Sequence, residues 1–412
     1  MRPALSHLRF ARFLLVICSS LAAGGTVQAQ RPVAHTGQAQ QADVRIPLAA
    51  GLTLVSTLQG AARKSGASDD VAGQGDREDV IVVDQVGTDG VRYRWSYTGG
   101  GEPGRQGDRG SFTRFVRAED LAAAPRVNLV FASSDPERVP GATAFSLSRA
   151  ALAELRSAGR TRLSYAEVDD GVGGLLGDLL QQPAKGSSSG VARGIGLGLG
   201  GSRVYYRGAL TLVSPEPVAL PLLIDGRRTA VSVLHARGRF SLGERRIDLD
   251  FFVVPDPEHP LLLKITGLGG TWQVLRVGLP GADTGALVEQ GLEQECRAEL
   301  PGVYFAFGAA EVSAESAPAL RAVAALLGRH PAWTLAIEGH TDSIGSAPPN
   351  TTLSARRAEA VRTRLVTAYG VPAARLSARG LGQTRPRESN ATLAGRARNR
   401  RVELARSCAS AR

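Results

Sequence analysis

The sequence predicts an N-terminal all-β domain followed by a C-terminal α/β sandwich, and two observations support this division. Apolar and polar residues alternate with strand periodicity over much of 44–280, whereas beyond it apolar residues recur at both strand and helix spacing. The charge changes as well. From Cys296 onward there are seventeen arginines, no lysine and eight acidic residues, in a chain of net charge +11. We therefore expect domains at 44–280 and 296–412, joined by a linker at 281–295.

Residues 1–29 have the parts of a secretory signal peptide: early arginines, a short apolar run and small residues before a cleavage site. The apolar run is shorter than the roughly 20 residues that a membrane-spanning helix needs. Cys18 raises the alternative of a lipoprotein signal. Because Ile17 stands where a small residue is expected, we favour plain secretion to the periplasm. The polar segment 30–43 is predicted to be flexible.

Hairpins define the predicted N-terminal domain. Residues 80–86 form a β-branched run, and 91–97 alternate between apolar and polar after a Gly-Thr-Asp-Gly turn. Asp225-Gly226 marks a second hairpin. One short helix is predicted over Ser148–Gly159, which begins with a good N-cap and ends with a good stop. The Gly/Ser-rich segment 169–202 is predicted as an insertion or linker, because glycine at this density is entropically costly to order.

Three classes of function remain open for this β domain. The first is a periplasmic domain with an outer-membrane or other envelope protein as its partner. The second is a porin-like outer-membrane barrel with a wall anchor, which the 5% aromatic content disfavours because such barrels carry aromatic girdles. The third, an enzyme, is the weakest. The serine pattern at 186–190 and the glycine pattern at 196–201 lack the flanking elements that such motifs need. The histidines lack metal-ligand spacing, so we expect no metal or cofactor.

The C-terminal region is predicted as strand, helix, strand, helix, strand, with the helices packed on a sheet. Strands are predicted at 303–307, 333–337 and 402–404. Apolar residues at helical spacing define two helices, and the second is expected to open at about Leu353. The helical positions are Leu320, Val323 and Leu327 in the first helix, and Val361, Leu365 and Ala368 in the second.

A loop aspartate and a helix arginine are the candidate binding residues. Asp342 follows the strand at 333–337, where a ligand-facing loop would start. On a helical wheel Arg357 shares an arc of roughly 80° with the apolar residues of its helix, whereas Arg356 points away. A cation near the core, and near a helix N-terminus where the dipole favours anions, requires an anionic partner. From these residues alone, a structural ion pair with Asp342 and a ligand carboxylate are about equally favoured.

Cys296 and Cys408 are the cysteines that remain after the predicted signal peptide, and they flank the C-terminal region. An even pair in an exported protein favours a disulfide over two free thiols. The basic surplus of this region favours an anionic partner. Because export argues against nucleic acid, a cell-wall polymer or an anionic lipid fits the compartment better.

Several C-terminal motifs occur in the order of a known family. They are Ile337–Asp342, Leu353–Ala358, Leu376–Gly382 and Gly395–Val402, with Ser343-Ile344-Gly345, Asn350, Arg385-Pro386 and Ser389-Asn390 between them. On these residues, the segment from about Val303 to Leu404 resembles the OmpA-like peptidoglycan-associated domain. The resemblance predicts an OmpA-like α/β sandwich for the C-terminal domain.

The same resemblance implies non-covalent binding of meso-diaminopimelate in the peptidoglycan stem peptide. The ligand aspartate of the family falls on Asp342, and its ligand arginine falls on Arg357. A carboxylate accepts hydrogen bonds from an ammonium group, and a guanidinium group holds a carboxylate with two N–H donors. Thr341 and Asn350 would supply supporting polar contacts.

Asn399 and Arg401, in the last motif, are expected to shape the site rather than bind. Two positions depart from the family pattern. Ala306 cannot supply the side-chain contact that an acidic or amide residue often makes there, and Leu381 replaces a frequent aromatic. We predict a non-catalytic periplasmic protein, associated with the cell wall and the outer membrane. It would bind peptidoglycan and tether the β domain to the wall. Because Ala306 lacks the usual side-chain contact, its affinity for peptidoglycan would be reduced.

Overall fold

The computed structural model describes residues 44–60, 78–98, 109–128, 137–169, 202–267, 270–305 and 308–408. The predicted signal peptide and the segment 30–43 lie outside these residues, as do 170–201 of the predicted insertion and Ala306. Within the described ranges, no helix is both long enough and apolar enough to cross a membrane.

The N-terminal region consists largely of strands that pair into one thirteen-stranded sheet. The strands are β1 (Thr53–Gly60), β2 (Glu78–Gly87), β3 (Gly90–Thr98), β4 (Arg109–Arg117), β5 (Arg126–Val127), β6 (Ala142–Thr143), β7 (Arg160–Asp169), β8 (Ser202–Leu212), β9 (Val218–Ile224), β10 (Arg227–Leu242), β11 (Arg245–Val253), β12 (Leu262–Gly267) and β13 (Gly270–Gly278). Their order is β4-β3-β2-β1-β13-β12-β11-β10-β8-β7-β5-β6. Because β9 pairs with both β10 and β13, strands β9 to β13 close into a ring.

The two predicted hairpins are confirmed. Gly87 pairs with Gly90 between β2 and β3, and Ile224 pairs with Arg227 between β9 and β10. At the second turn Asp225 and Gly226 have φ values of 46° and 76°, the left-handed pair that a two-residue hairpin loop requires. The predicted insertion also has a clear position. Strands β7 and β8 pair with each other up to Asp169 and Ser202, so 170–201 connects two adjacent antiparallel strands.

In the described part of this region, two short helices interrupt the strands: α1 (Ala118–Ala123) and α2 (Arg149–Ala158). Helix α2 confirms the predicted helix. The Ser148 hydroxyl accepts from the backbone N–H of Ala151 at 3.3 Å, and Gly159 ends the helix with a φ of 69°. Helix α1 was not predicted, since six residues are too short to show a helical period. Over the residues that the structure describes, the N-terminal region is therefore mostly strand, with two helices.

The C-terminal region is a four-stranded sheet with packed helices. Its elements are α3 (Thr284–Glu295), β14 (Arg297–Glu299), α4 (Ala317–Arg329), β15 (Leu335–His340), α5 (Ala347–Tyr369), β16 (Leu376–Gly382), α6 (Leu393–Asn399) and β17 (Val402–Arg406). The strand order is β14-β17-β15-β16, with β15 and β16 parallel. Buried side chains of α3, α4 and α5 form one core with the sheet, and they include Val288, Leu320, Val361 and Ile337.

Residues 281–295, predicted to be a linker, instead contain α3. The Asp283 carboxylate caps this helix by accepting from the backbone N–H of Ala286 at 2.9 Å. Val288 and Leu292 are buried in the C-terminal core. The helix is therefore part of the C-terminal fold, because its apolar face completes that core.

The strand predicted at 303–307 is also corrected. Phe305 makes an isolated bridge to Val312, and the edge strand of the sheet is β14. Helix α5 begins at Ala347, before the predicted start, because prolines fit the first helical turn. Ala368, near the end of this helix, is exposed rather than on its buried face. Strand β16 and helix α6 were missed, since their Arg- and Gly-rich sequences lack apolar periodicity.

The predicted disulfide is confirmed. Cys296 follows α3 and Cys408 follows β17, and their Cα atoms are 5.9 Å apart. Just inside the bridge, β14 and β17 pair directly, with Arg297 opposite Ala405. The disulfide thus joins the ends of two adjacent strands, at positions 112 residues apart in sequence.

The N-terminal sheet contacts the C-terminal region along β1, β2 and β3. Val55 and Val80 form a small apolar cluster with Tyr304. Glu315 accepts hydrogen bonds from Nη1 of Arg94 at 2.8 Å and from the hydroxyl of Ser96 at 2.9 Å. This contact brings the first residue of β2, Glu78, against the C-terminal region.

Candidate functional site

Asp342 lies in the loop that follows β15, and its carboxylate is buried. Oδ1 accepts from the backbone N–H of Ile344 at 3.0 Å, and Oδ2 accepts from Nη1 of Arg400 at 2.6 Å. The side chain is 7% exposed. Because β15 and β16 are parallel, the loop starts at the edge where both strands end. The carboxylate is thus held rigidly at one end of the sheet.

Thr341 and Asn350 flank this carboxylate. The Thr341 backbone N–H donates to the carbonyl of Gly382 at 2.9 Å, and its buried hydroxyl has no hydrogen-bond partner among the described residues. Nδ2 of Asn350, in the first turn of α5, donates to the carbonyl oxygens of Asp342 at 3.3 Å and Ile344 at 3.0 Å. Asn350 therefore fixes the loop, whereas the Thr341 hydroxyl retains unused hydrogen-bonding capacity.

Arg357 is half-buried on α5, while Arg356 beside it is exposed, as the helical wheel predicts. Nε of Arg357 donates to the carbonyl of Ala309 at 3.0 Å, and the guanidinium carbon of Arg357 lies 5.0 Å from the centre of the Phe305 ring. Burial lowers the pKa of Arg357 to about 10. Nη1 and Nη2 of Arg357 make no hydrogen bond within the described residues, so these two nitrogens, with two N–H groups each, remain available to an anion.

Asp342 and Arg357 belong to the same electrostatic neighbourhood, yet no hydrogen bond or ion pair joins them in the described structure. Burial lowers the pKa of Arg357, and Asp342 opposes this shift through its charge. The direct partner of Asp342 is Arg400, on the loop between α6 and β17. The structural Asp342–Arg357 pair that the sequence left open is therefore not formed.

Glu78 of the N-terminal sheet completes the arrangement. Its Oε1 accepts from Nε of Arg400 at 2.9 Å and from Nη2 of Arg400 at 2.5 Å, and its Oε2 accepts from Nη1 of Arg276 at 3.0 Å. Burial opposes ionisation, but Arg276 and Arg400 hold the pKa of Glu78 below its usual range. We call Glu78, Arg276, Asp342, Arg357 and Arg400 the charge cluster. Three guanidinium groups and two carboxylates give it one surplus positive charge.

Two glycines allow α5 to lie against the strands that carry the site. A Cβ on Gly339 would lie 2.2 Å from the carbonyl oxygen of Ser354, and one on Gly380 would lie 2.3 Å from the backbone nitrogen of Ala355. Both distances are far shorter than van der Waals contact, so glycine is required at each position. These glycines explain why glycine occurs in the motifs Ile337–Asp342 and Leu376–Gly382. By allowing α5 to lie close to the sheet, they bring Arg357 to the same end of the sheet as Asp342.

Asn399 supports the site from beneath. It is fully buried, and its Nδ2 donates to Oδ1 of Asn390 at 2.9 Å. The same Asn390 oxygen accepts from the backbone N–H of Ser343 at 3.2 Å, next to Asp342. Asn399 therefore acts through Asn390 on the loop that carries the Asp342 carboxylate.

Glu338, His340 and Glu403 are close enough together for one metal ion to contact all three. Both carboxylates are already paired, however. Glu338 accepts from Arg297, and Glu403 accepts from Nε of Arg401 at 2.6 Å. Burial and the charge of Arg401 lower the pKa of His340 to about 4. Because arginines neutralise these carboxylates, the group suits a buried structural network better than a cation site.

Sequence reasoning missed Arg400 and Glu78. The Asn-Arg-Arg run at 399–401 was a usable signal, since it ends a family motif, but the first arginine was not distinguished from the second. Glu78 lies far upstream in a β-branched strand, and no spacing rule connects it with Asp342. Its role becomes visible only through the packing of the sheet on the C-terminal region.

Comparison with known proteins relates the same region to envelope proteins. The OmpA family profile matches residues 304–400. Outer membrane porin F of Pseudomonas aeruginosa is 45% identical over 101 residues, which are 24% of this chain and 29% of the porin. Peptidoglycan-binding protein ArfA of Mycobacterium bovis is 46% identical over 85 residues, 21% of this chain and 26% of that protein.

A further relative is covered over most of its length. Outer membrane protein A of Bordetella avium is 35% identical over 132 residues, which are 31% of this chain and 68% of that protein. The names of these relatives agree with the predicted envelope location. Through the segment around residues 304–400, this chain belongs to the OmpA family.

Proposed function

We propose that residues 296–408 bind peptidoglycan non-covalently through the diaminopimelate of the stem peptide, and so tether the N-terminal sheet region to the wall. The observation that carries this proposal is the half-buried guanidinium of Arg357, whose Nη1 and Nη2 make no hydrogen bond within the described residues and whose charge interacts with that of Asp342. The role is one of binding rather than catalysis. A separate envelope partner for the sheet region stays a prediction.

The chemistry of diaminopimelate fits this pair. A ligand carboxylate would accept from Nη1 and Nη2 of Arg357 and neutralise the surplus charge of the cluster. The adjacent ammonium group would donate to Asp342, whose oxygens each accept one hydrogen bond from the protein and retain further lone pairs. The Thr341 hydroxyl, on the same loop and without a hydrogen-bond partner among the described residues, would supply a third polar contact.

Two further facts support the proposal. One relative of this chain is named for peptidoglycan binding. The C-terminal region is also strongly basic, with seventeen arginines against eight acidic residues from Cys296 onward. A positive domain is attracted to an anionic wall polymer and kept near it while the specific contact forms.

Co-sedimentation with purified diaminopimelate-type peptidoglycan sacculi tests the proposal. The wild-type protein is expected in the pellet, and Asp342→Ala and Arg357→Ala are each expected to weaken binding by about tenfold or more, because each charge-assisted hydrogen bond contributes about 1.5–3 kcal/mol. Arg356→Ala is the matched control, since it removes the same charge from the neighbouring exposed position.

The outcomes separate specific binding from general attraction. If the wild-type protein stays in the supernatant, the proposed function is wrong. If Arg356→Ala and Arg357→Ala lose binding equally, the basic surface rather than the Asp342/Arg357 site holds the wall. Sacculi with lysine in place of diaminopimelate provide a second comparison, and equal binding to both would contradict recognition of diaminopimelate.

A further inference from the structure

We propose that Glu78, supplied by the N-terminal sheet, is a specificity-determining residue of the ligand site: it sets the charge of the site so that a zwitterionic amino acid is favoured over a simple dicarboxylate. This inference rests on the proposed peptidoglycan function. It gives the sheet region a role in that function. The sheet region would contribute directly to ligand specificity, beyond being tethered to the wall.

The geometry begins with a shared arginine. Arg400 donates to Asp342 from Nη1 at 2.6 Å and to Glu78 from Nε at 2.9 Å and Nη2 at 2.5 Å. One guanidinium charge is thus divided between two carboxylates. Asp342 is therefore less completely neutralised than it would be in an exclusive pair, and it retains attraction for a ligand ammonium group.

Glu78 is held in place from its other side by Arg276. Nη1 of Arg276 donates to Oε2 of Glu78 at 3.0 Å, while Nη2 donates to the carbonyl oxygens of Ala397 at 2.8 Å and Arg400 at 2.9 Å. Arg276 therefore binds both Glu78 and the backbone of the loop that carries Arg400. This double attachment fixes the Glu78 carboxylate relative to the ligand site.

The charge balance determines which ligand the cluster accepts. With Glu78 ionised, the cluster has one surplus positive charge, which one ligand carboxylate neutralises. Without Glu78, Asp342 would be the one carboxylate left in the charge cluster and the surplus would rise to two charges. A second carboxylate would then be attracted more strongly, and an ammonium group less strongly, than in the wild-type protein.

Burial makes the effect of the Glu78 charge on ligand preference large enough to measure. The side chains of Glu78, Arg400 and Asp342 are 18%, 13% and 7% exposed, so water screens their mutual interaction only weakly. Glu78 also acts on Arg357 through its charge and raises the pKa of that residue against the opposing effect of burial. The sheet carboxylate is therefore electrostatically coupled to both proposed ligand residues.

A competition experiment with the full-length protein tests the inference. Protein bound to sacculi is displaced with free meso-diaminopimelate or with pimelate, which has the same carbon chain and both carboxylates but no amino groups. The ratio of the two half-displacement concentrations is the measured quantity. The wild-type protein is expected to prefer diaminopimelate, and Glu78→Gln is expected to shift the ratio toward pimelate by about tenfold.

Glu315→Gln is the matched control. Glu315 also connects the C-terminal region to the sheet, through Arg94 and Ser96, but it is not a member of the charge cluster. Its substitution is expected to leave the ratio unchanged. A general loss of folding or of docking would weaken displacement by both compounds together, so the ratio separates specificity from structural damage.

Each remaining outcome has a defined meaning. If wild-type protein binds sacculi and requires Asp342, but Glu78→Gln leaves the ratio unchanged, the inference about Glu78 is overturned while the proposed function stands. An equal shift of the ratio in Glu315→Gln also overturns it, since the shift would then result from altered packing of the sheet on the C-terminal region. If wild-type protein does not bind sacculi, or neither compound displaces it, the proposed recognition of diaminopimelate fails.

Discussion

Individual buried residues show how strongly this fold depends on charge state. His259 and His340 are both buried, and neither ring nitrogen of either residue has a hydrogen-bond partner in the described ranges. Burial lowers the pKa of each to about 4. A neutral imidazole is tolerated in these positions, whereas a protonated one would be desolvated in the interior, a cost that Asp256 near His259 and Glu403 near His340 offset only in part.

This environment predicts acid sensitivity. Because the folded-state pKa lies below the ordinary value of about 6.5, the unfolded state binds protons first as the pH falls. The free energy of unfolding should therefore decrease from pH 6.5 toward pH 4, by up to about 3 kcal/mol for each histidine. Urea unfolding at several pH values between 7 and 4.5 measures this slope.

The control for that measurement is His259→Leu, which removes one titrating group and should reduce the slope. Carboxylates respond in a lower window, which keeps the two effects apart. Although burial opposes it, Arg401 and the other arginines around Glu403 lower its pKa to about 2, so its contribution is complete above pH 4.5 and lost below. If the free energy of unfolding does not change between pH 6.5 and 4.5, the lowered pKa of both histidines is contradicted.

At the level of elements, the site depends on how closely α5 lies against β15 and β16. The close approach occurs at Gly339 and Gly380, where any side chain would meet the backbone of α5. Strands β15 and β16 then deliver the Asp342 loop, and α5 delivers Arg357, at the same end of the sheet. A small outward shift of this helix would separate the two proposed ligand residues.

We predict that Gly339→Ala lowers the free energy of unfolding by about 1–3 kcal/mol or more, because the new methyl group overlaps the carbonyl of Ser354. The variant should also bind sacculi more weakly. Gly328→Ala is the control, since its Cβ would meet nothing within 4 Å and the position lies in helix α4. Alanine there should leave stability unchanged or raise it by up to about 1 kcal/mol. Equal effects of the two substitutions would show that the close packing of α5 is unimportant.

At the scale of the whole molecule, two hydrophobic cores meet through a polar contact. One core belongs to the N-terminal sheet, and the other belongs to the C-terminal sheet and its helices. Between them lie a small apolar cluster at Tyr304 and ion pairs from Glu78 and Glu315. The Asp342 loop is therefore adjacent to this contact, which would allow the sheet region to influence the proposed site.

The disulfide is the covalent restraint on the C-terminal fold, and its loss has a predictable effect. Cys296 and Cys408 are 112 positions apart, so the bridge closes a long loop in the unfolded chain and lowers its conformational entropy. The double variant Cys296→Ser/Cys408→Ser should lose about 3–5 kcal/mol of stability by chemical denaturation. Reduction of the wild-type protein should have the same effect and leave the double variant unchanged. Rapid labelling of both thiols in the native, unreduced protein would contradict the bridge.

Local sequence patterns were sufficient for many elements. The turns at 87–90 and 225–226, the helix capped by Ser148 and Gly159, and the exposure of Arg356 beside Arg357 all follow from turn chemistry, capping and helical periodicity. These features depend on residues close together in the chain. The same rules failed for α3, β14 and β16, where packing against the rest of the fold, rather than local propensity, selects the structure.

The sequence by itself determined the family of the C-terminal region, its disulfide, and the candidate pair Asp342 and Arg357. Tertiary structure alone decided that Asp342 pairs with Arg400, that Nη1 and Nη2 of Arg357 make no hydrogen bond within the described residues, and that Glu78 joins the same cluster. The reason is physical. Periodicity and capping report interactions within a few residues, whereas burial and ion pairing depend on which distant segments pack together, and these decide the charge that a ligand meets.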